Sequence, residues 1–186
     1  MAATFGSISH AVFNVRDIEA THQFWLEVMG WEQAGQIIQQ PGYDGDGMSG
    51  ALDMRFYRRN DRNHHDIAVA QLHDAANFGG PEEPDMRPLH PGVNHVAIRY
   101  DDREDWLAIV RRLEAQNYPI YKRVDHGMTH SIYVTDPDGN LFEILYDLPR
   151  YVWEGDVEAA LQYGSFLEPG SPGYCPDSTD YRRFGD

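Results

Sequence analysis

Residues 126–147, HGMTHSIYVTDPDGNLFEILYD, set two imidazoles (His126, His130), a phenol (Tyr133) and a carboxylate (Glu143) into otherwise apolar, β-forming sequence. Glu143 stands between Phe142 and Ile144. A carboxylate buried there without a partner costs several kcal/mol, roughly, through desolvation. It either pairs with an arginine, such as Arg99 or Arg123, or holds a cation. Two further histidines occupy matching places, His10 in ISHAVFNV and His95 in VNHVAIRY. One histidine on a half-buried strand is ordinarily structural; two at equivalent points of a repeat raise the case for a metal. Two neutral imidazoles and one carboxylate arriving from separate strands make a 2-His-1-carboxylate set. Such a set leaves about three coordination positions open and favours Fe(II), or a similar divalent ion, in oxygen chemistry.

The elements that would position these groups follow from local patterning. SISHAVFNV (7–15) reads as a strand, and residues 16–31 as a helix with Ile18, Phe24, Trp25 and Met29 in a stripe and Gly30 as its stop. Strands are expected at 33–39, 51–59 and 65–72, with a loop over 41–50. The second half repeats the order. It has a strand at 93–100 and a helix at 102–118 with Trp106, Ile109, Val110 and Leu113 on one face. Strands PIYKRVDH, HSIYVTD and LFEILYD follow, the last two joined by the PDGN turn. Two copies of a βαβββ unit, separated by the Pro- and acid-rich segment 78–92, is the economical account. From Leu148 the chain changes character. WEGDVEAALQYG suggests a short helix, and the many aromatics of this tail argue that it packs on its own domain or on a partner subunit.

The chain has 186 residues with 15 basic and 30 acidic side chains, a formal net charge of −15. That balance disfavours nucleic acid and anionic lipid, both of which bind through clustered Lys and Arg. A neutral or weakly acidic small molecule is the easier partner. One cysteine, Cys175, excludes an internal disulfide framework and suits a reducing compartment. No secretory pattern opens the sequence and no apolar run approaches the roughly 20 residues of a membrane helix, so a cytoplasmic protein is expected.

ISHAVFNV, VNHVAIRY and HSIYVTDPDGNLFEILYD together resemble the vicinal oxygen chelate superfamily, whose βαβββ modules pair into a metal-holding cup. Within it, HHDIAVAQ and HGMTHSIYVTDPDGNLFEI are similar to the type I extradiol ring-cleaving dioxygenases. The resemblance covers residues 7–147 and implies an α+β fold, a cup-shaped mixed sheet around a metal site. It implies one domain over 1–147 (module one 7–77, linker 78–92, module two 93–147), with 148–186 as a C-terminal extension. Most members carry four modules, so two mark a one-domain form; that form and the aromatic tail suggest a homo-oligomer.

The activity implied is the opening of a catechol-type diol with O₂ in aromatic catabolism, using Fe(II) or, in some members, Mn(II). The metal ligands would fall on His10, His95 and Glu143. The acid/base histidine of the H-D-I-A motif would fall on His65, and the substrate-facing pair on His126 and Tyr133, the former only with a two-residue gap before Ser131. His64 would be solvated, and His130 receives no role. His22, His73 and His90 carry no chemistry. Asp44 and Asp46 hint at a calcium loop, but Arg55 stands where the closing glutamate belongs. Two other readings share the cup: a glyoxalase-like metal-dependent lyase or isomerase, and a drug-sequestering protein. The lyase would prefer a second glutamate in the last strand of module one, where HHDIAV stands instead.

Overall fold

A computed structural model describes residues 8–38, 51–72, 93–166 and 181–185. The chain forms two compact units, Met1–Glu82 and Glu83–Asp186, and the boundary falls inside the segment read as a linker. The whole of that segment, with Asp44, Asp46, His73, His90 and Cys175, lies outside the described residues.

Unit one runs β1 (Ala11–Val15), α1 (Ile18–Gln23), β2 (Glu32–Ile38), β3 (Ala51–Arg58) and β4 (Ile67–Leu72). The Asp17 carboxylate caps α1 by accepting from the amides of Glu19 and Ala20 at 3.0 and 3.1 Å. The single helix expected over 16–31 instead widens after Gln23 into a π-helical turn, Phe24–Val28, closed by the Met29 amide on the Phe24 carbonyl. Gly30, at φ 73°, ends it. Ile18, Phe24, Trp25 and Met29 are all buried, as their stripe requires. The strand order is β1-β4-β3-β2, with β1 and β4 parallel and the other pairs antiparallel.

Unit two repeats the plan with β5 (Val96–Tyr100), α2 (Arg103–Ala115), β6 (Lys122–Asp125), β7 (Thr129–Thr135) and β8 (Leu141–Asp147). Its order is β5-β8-β7-β6, again with the first and last strands parallel. A parallel pair needs a crossover between its strands, and the helix of each unit supplies it. The stripe of α2 is buried, and Trp106 Nε1 donates to the Ile144 carbonyl at 2.9 Å. The Asp136 carboxylate closes the PDGN turn by accepting from the amides of Asp138 and Asn140, each at 2.9 Å. The α+β class and the duplicated βαβββ unit are therefore present, as two mixed sheets.

The C-terminal extension packs on its own unit. α3 (Val157–Gln162) forms where a short helix was expected, and β9 (Ser165–Phe166) adds a strand beside β6. Phe184 is buried, and its amide donates to the Val152 carbonyl at 2.9 Å. No helix among the described residues is long and apolar enough to cross a membrane.

Candidate functional site

The strands are shorter at their N-termini than the sequence suggests, and this moves three of the expected site residues. His10 lies just before β1 and is exposed rather than mid-strand, His95 just before β5, and His65 in the turn that enters β4. Strand entries suit ligands and acid/base groups, because the side chain leaves the sheet while its backbone stays anchored. The Ala11 amide, next to His10, donates to the Asp66 carbonyl, next to His65, at 3.0 Å. That pins the two histidines together, with ring centroids 4.3 Å apart. His64 joins them: it is exposed, as its solvated reading expects, and its Nδ1 lies 2.6 Å from Nδ1 of His65. His65 is held below the ordinary histidine range, first by burial and then by His10 and His64. Asp66 is occupied in the turn, accepting from Asn63 Nδ2 and the Arg59 amide at 3.1 Å each.

In unit two, cross-strand register places the remaining expected residues. Tyr133 faces Glu143 across β7 and β8, and Glu143 faces Ala97 on β5, so these side chains share one face of the sheet. Glu143 is 7% exposed; its Oε2 lies 3.1 Å from His95 Nε2 and its Oε1 3.8 Å from His126 Nε2. His126 Nε2 also lies 3.0 Å from the Tyr133 hydroxyl. Burial, reinforced by Glu143, pushes the Tyr133 phenol well up, so it remains a hydrogen-bond donor at neutral pH. Burial likewise lowers His126, against the opposing pull of Glu143, and keeps its imidazole neutral.

The arginine alternative for Glu143 is not what forms: Arg99 bonds Asp147 at 3.1 Å and Arg123 bonds Glu114 at 2.7 Å. His130 points to the opposite, helix-covered face, with Nδ1 3.1 Å from the Tyr146 hydroxyl, and so packs away from Tyr133. His22 lies on α1, with its Nδ1 3.0 Å from the buried Tyr57 hydroxyl.

A buried carboxylate flanked by imidazoles, bonded to no guanidinium among the described residues, has the donor chemistry of a divalent-metal site. Among the described residues no three His, Cys, Asp or Glu side chains already converge tightly enough to enclose an ion.

Aligning His10 with His95 superposes the two registers strand by strand. Across unit two the row reads Ala97–Glu143–Tyr133–Lys122; across unit one it reads Val12–Ala68–Phe56–Gly35. Unit one thus carries alanine where unit two carries the carboxylate, and phenylalanine where it carries the phenol.

Residues 7–144 match the glyoxalase/bleomycin resistance protein/dioxygenase superfamily. The chain belongs to that superfamily. Relatives within it include a catechol-2,3-dioxygenase of Bacillus subtilis (strain 168), 26% identical over 151 residues, covering 81% of this chain and 45% of the relative. A biphenyl-2,3-diol 1,2-dioxygenase 3 of Rhodococcus globerulus is 25% identical over 142 residues, covering 75% of this chain and 63% of that protein. The chain thus spans about half to two thirds of the length of these relatives. Among solved structures, a glyoxylase/bleomycin resistance protein/dioxygenase domain from Frankia sp. EAN1pec superposes with a TM-score of 0.57 at 15% identity, covering 77% of this chain and 93% of that one. A mutant of the fosfomycin resistance protein FosX from Listeria monocytogenes, complexed with Mn(II) and 1S,2S-dihydroxypropylphosphonic acid, reaches 0.50 at 18% identity, covering 76% of this chain and 92% of that one. These likenesses show the superfamily's fold, which hosts several chemistries.

Two neighbours of the expected residues were given no part by the sequence. His64 sits beside the assigned His65, and only its ring contact gives it a place. Lys122 lies opposite Tyr133, a pairing visible only once the short turn between β6 and β7 sets the register.

Proposed function

We propose that this chain is an extradiol ring-cleaving dioxygenase acting on catechol-type aromatic diols, with Fe(II), or alternatively Mn(II), held by His10, His95 and Glu143. The observation that carries the reading is the asymmetry of the two rows. One buried carboxylate faces a hydrogen-bonding phenol in unit two, and Ala68 occupies the equivalent place in unit one. A glyoxalase-like lyase would call for a second carboxylate there. A sequestering protein would have no use for Glu143 buried beside two imidazoles. The dioxygenase relatives, at 25 and 26% identity, support the same choice.

A bound Fe(II) would supply adjacent open positions for the diol and O₂ and a path for electrons between them. The residues do the rest. Glu143 places one negative charge at the centre, which favours a diol bound as a monoanion. The depressed His65 is neutral near pH 7, so it accepts the proton that the diol gives up and later returns it to the departing oxygen. Tyr133 keeps its proton and donates a hydrogen bond to a substrate oxygen, while His126 orients that hydroxyl from 3.0 Å. The carbon–carbon bond beside the two hydroxyls breaks, and both oxygen atoms of O₂ end in the ring-opened product.

Oxygen uptake by protein reconstituted anaerobically with Fe(II), run against a panel of catechols, tests this directly. One O₂ consumed per diol, with a yellow ring-opened product, is expected. Tight metal binding without uptake for any diol would overturn the reading and leave the lyase chemistry of the same cup.

A further inference from the structure

Lys122 has no part in the chemistry above, yet it ends the row that contains it. It stands opposite Tyr133 on β6, and Tyr133 stands opposite Glu143. Its ammonium lies 4.2 Å from the centre of the Tyr133 ring. The next residue, Arg123, faces the other side of the sheet and is bonded to Glu114. Lys122 differs: among the described residues its ammonium is bonded to no carboxylate, in a chain with 30 acidic residues against 15 basic. In unit one the matching position is Gly35, so the cation belongs to the unit that carries the phenol and the carboxylate. An ammonium resting on an aromatic face is held weakly, and a charge-assisted hydrogen bond to a carboxylate is the stronger alternative.

The row also acts as a ruler. Neighbouring strands are about 4.8 Å apart, so Glu143 and Lys122 are separated by two spacings, roughly 10 Å. A catechol held by its diol at the Glu143 end, with its ring lying along the row, would bring a short acidic arm within reach of the lysine side chain.

We propose that Lys122 is the specificity-determining residue of this site and that it takes the carboxylate of an aromatic diol bearing an acidic side chain. The proposal rests on the dioxygenase reading for the placement of the diol, but the anion preference it asserts is a property of binding alone.

The test is calorimetric titration of the full chain, loaded with Fe(II) under anaerobic conditions. The probes are 3,4-dihydroxyphenylacetate and 3,4-dihydroxybenzoate, each against its methyl ester. The wild type should bind the acids more tightly than the esters by about tenfold or more, the scale of one charge-assisted hydrogen bond. Lys122→Met should erase that preference and Lys122→Arg should keep most of it, which separates charge from a folding defect. Equal binding of acid and ester by the wild type, an undiminished preference in Lys122→Met, or no binding of any of the four probes overturns the proposal. Oxygen uptake is read separately. A lysine-dependent acid preference without uptake would sink the dioxygenase reading and leave the anion site standing. Uptake with neutral diols and no acid preference would do the reverse.

Discussion

Glu143→Gln separates a metal ligand from a structural carboxylate, because the two roles predict opposite signs. Glutamine has nearly the shape of glutamate and keeps a hydrogen bond to His95, now 3.1 Å from the carboxylate, but it removes the charge. Burying a lone carboxylate costs several kcal/mol, and a hydrogen bond to a charged group returns about 1.5–3 kcal/mol. Without metal, the substitution should therefore be neutral or stabilising. With metal the sign reverses. At about 100 times the dissociation constant the wild type gains ~2.7 kcal/mol. For a chain of this size 1 kcal/mol moves the thermal midpoint by about 2–4 °C, so the metal should raise it by about 5–11 °C. The variant, having lost its anionic ligand, should show only a small fraction of that rise. Thermal unfolding with chelator and with anaerobic Fe(II) gives all four midpoints. An equal metal-induced rise in both proteins would remove Glu143 from the ligand set. A marked loss of stability in the chelated variant would mean that the carboxylate serves the fold, through its contact with His95.

Three other perturbations address separate parts of the argument. His65→Ala should leave metal content unchanged and lower turnover by ~10²-fold or more, the usual loss for an acid/base group; full activity by oxygen uptake would assign the proton transfers elsewhere. Gly127, at φ +75° on the turn that carries His126, has no room for a Cβ, which would sit 2.9 Å from the Ala160 carbonyl oxygen and 3.0 Å from the Phe184 ring. Gly127→Ala should therefore cost about 2 kcal/mol or more in denaturant unfolding, and an unchanged midpoint would show that the C-terminal extension does not press on this turn. His22 is held below the ordinary histidine range, first by burial and then by Arg55. The unfolded chain therefore takes up the proton more readily, and this contribution to stability is whole above about pH 6.5 and is lost as the pH falls through the folded value. His22→Gln should lose less stability than the wild type between pH 7.5 and 5.5, and equal losses would refute the assignment.

The fold was legible because its signals are local. Alternating β-formers, the buried stripe of α2 and the PDGN turn each show in a short window, and their repetition gave the duplicated unit. The misreadings have local causes of their own. Ile8 and Val12, on either side of His10, made it look like a mid-strand residue, although pairing begins only at Ala11. The π-helical turn at Phe24 is invisible to a 3.6-residue pattern, because the same apolar residues satisfy both windings. Glu143, Tyr133 and His126 could be picked out as polar interruptions of apolar strands. Lys122 could not, since a lysine on an outer strand is ordinary until the register places it against Tyr133.

The repeat matters most where its copies differ. Had both copies kept the same row, each unit would carry a carboxylate opposite a phenol. Ala68 and Phe56 at the matching places of unit one withdraw a ligand and a hydroxyl together. What unit one keeps instead is imidazole, with His10, His64 and His65 within ring contact. The division is chemical: unit two carries the buried carboxylate and the phenol, and unit one carries a cluster of three imidazoles. Reinstating the symmetry tests that division. Ala68→Glu puts a carboxylate at the position equivalent to Glu143, so it should preserve or strengthen metal retention while lowering oxygen uptake. If uptake survives beside undiminished metal binding, Ala68 is not what keeps a position open, and the asymmetry of the rows loses its functional meaning.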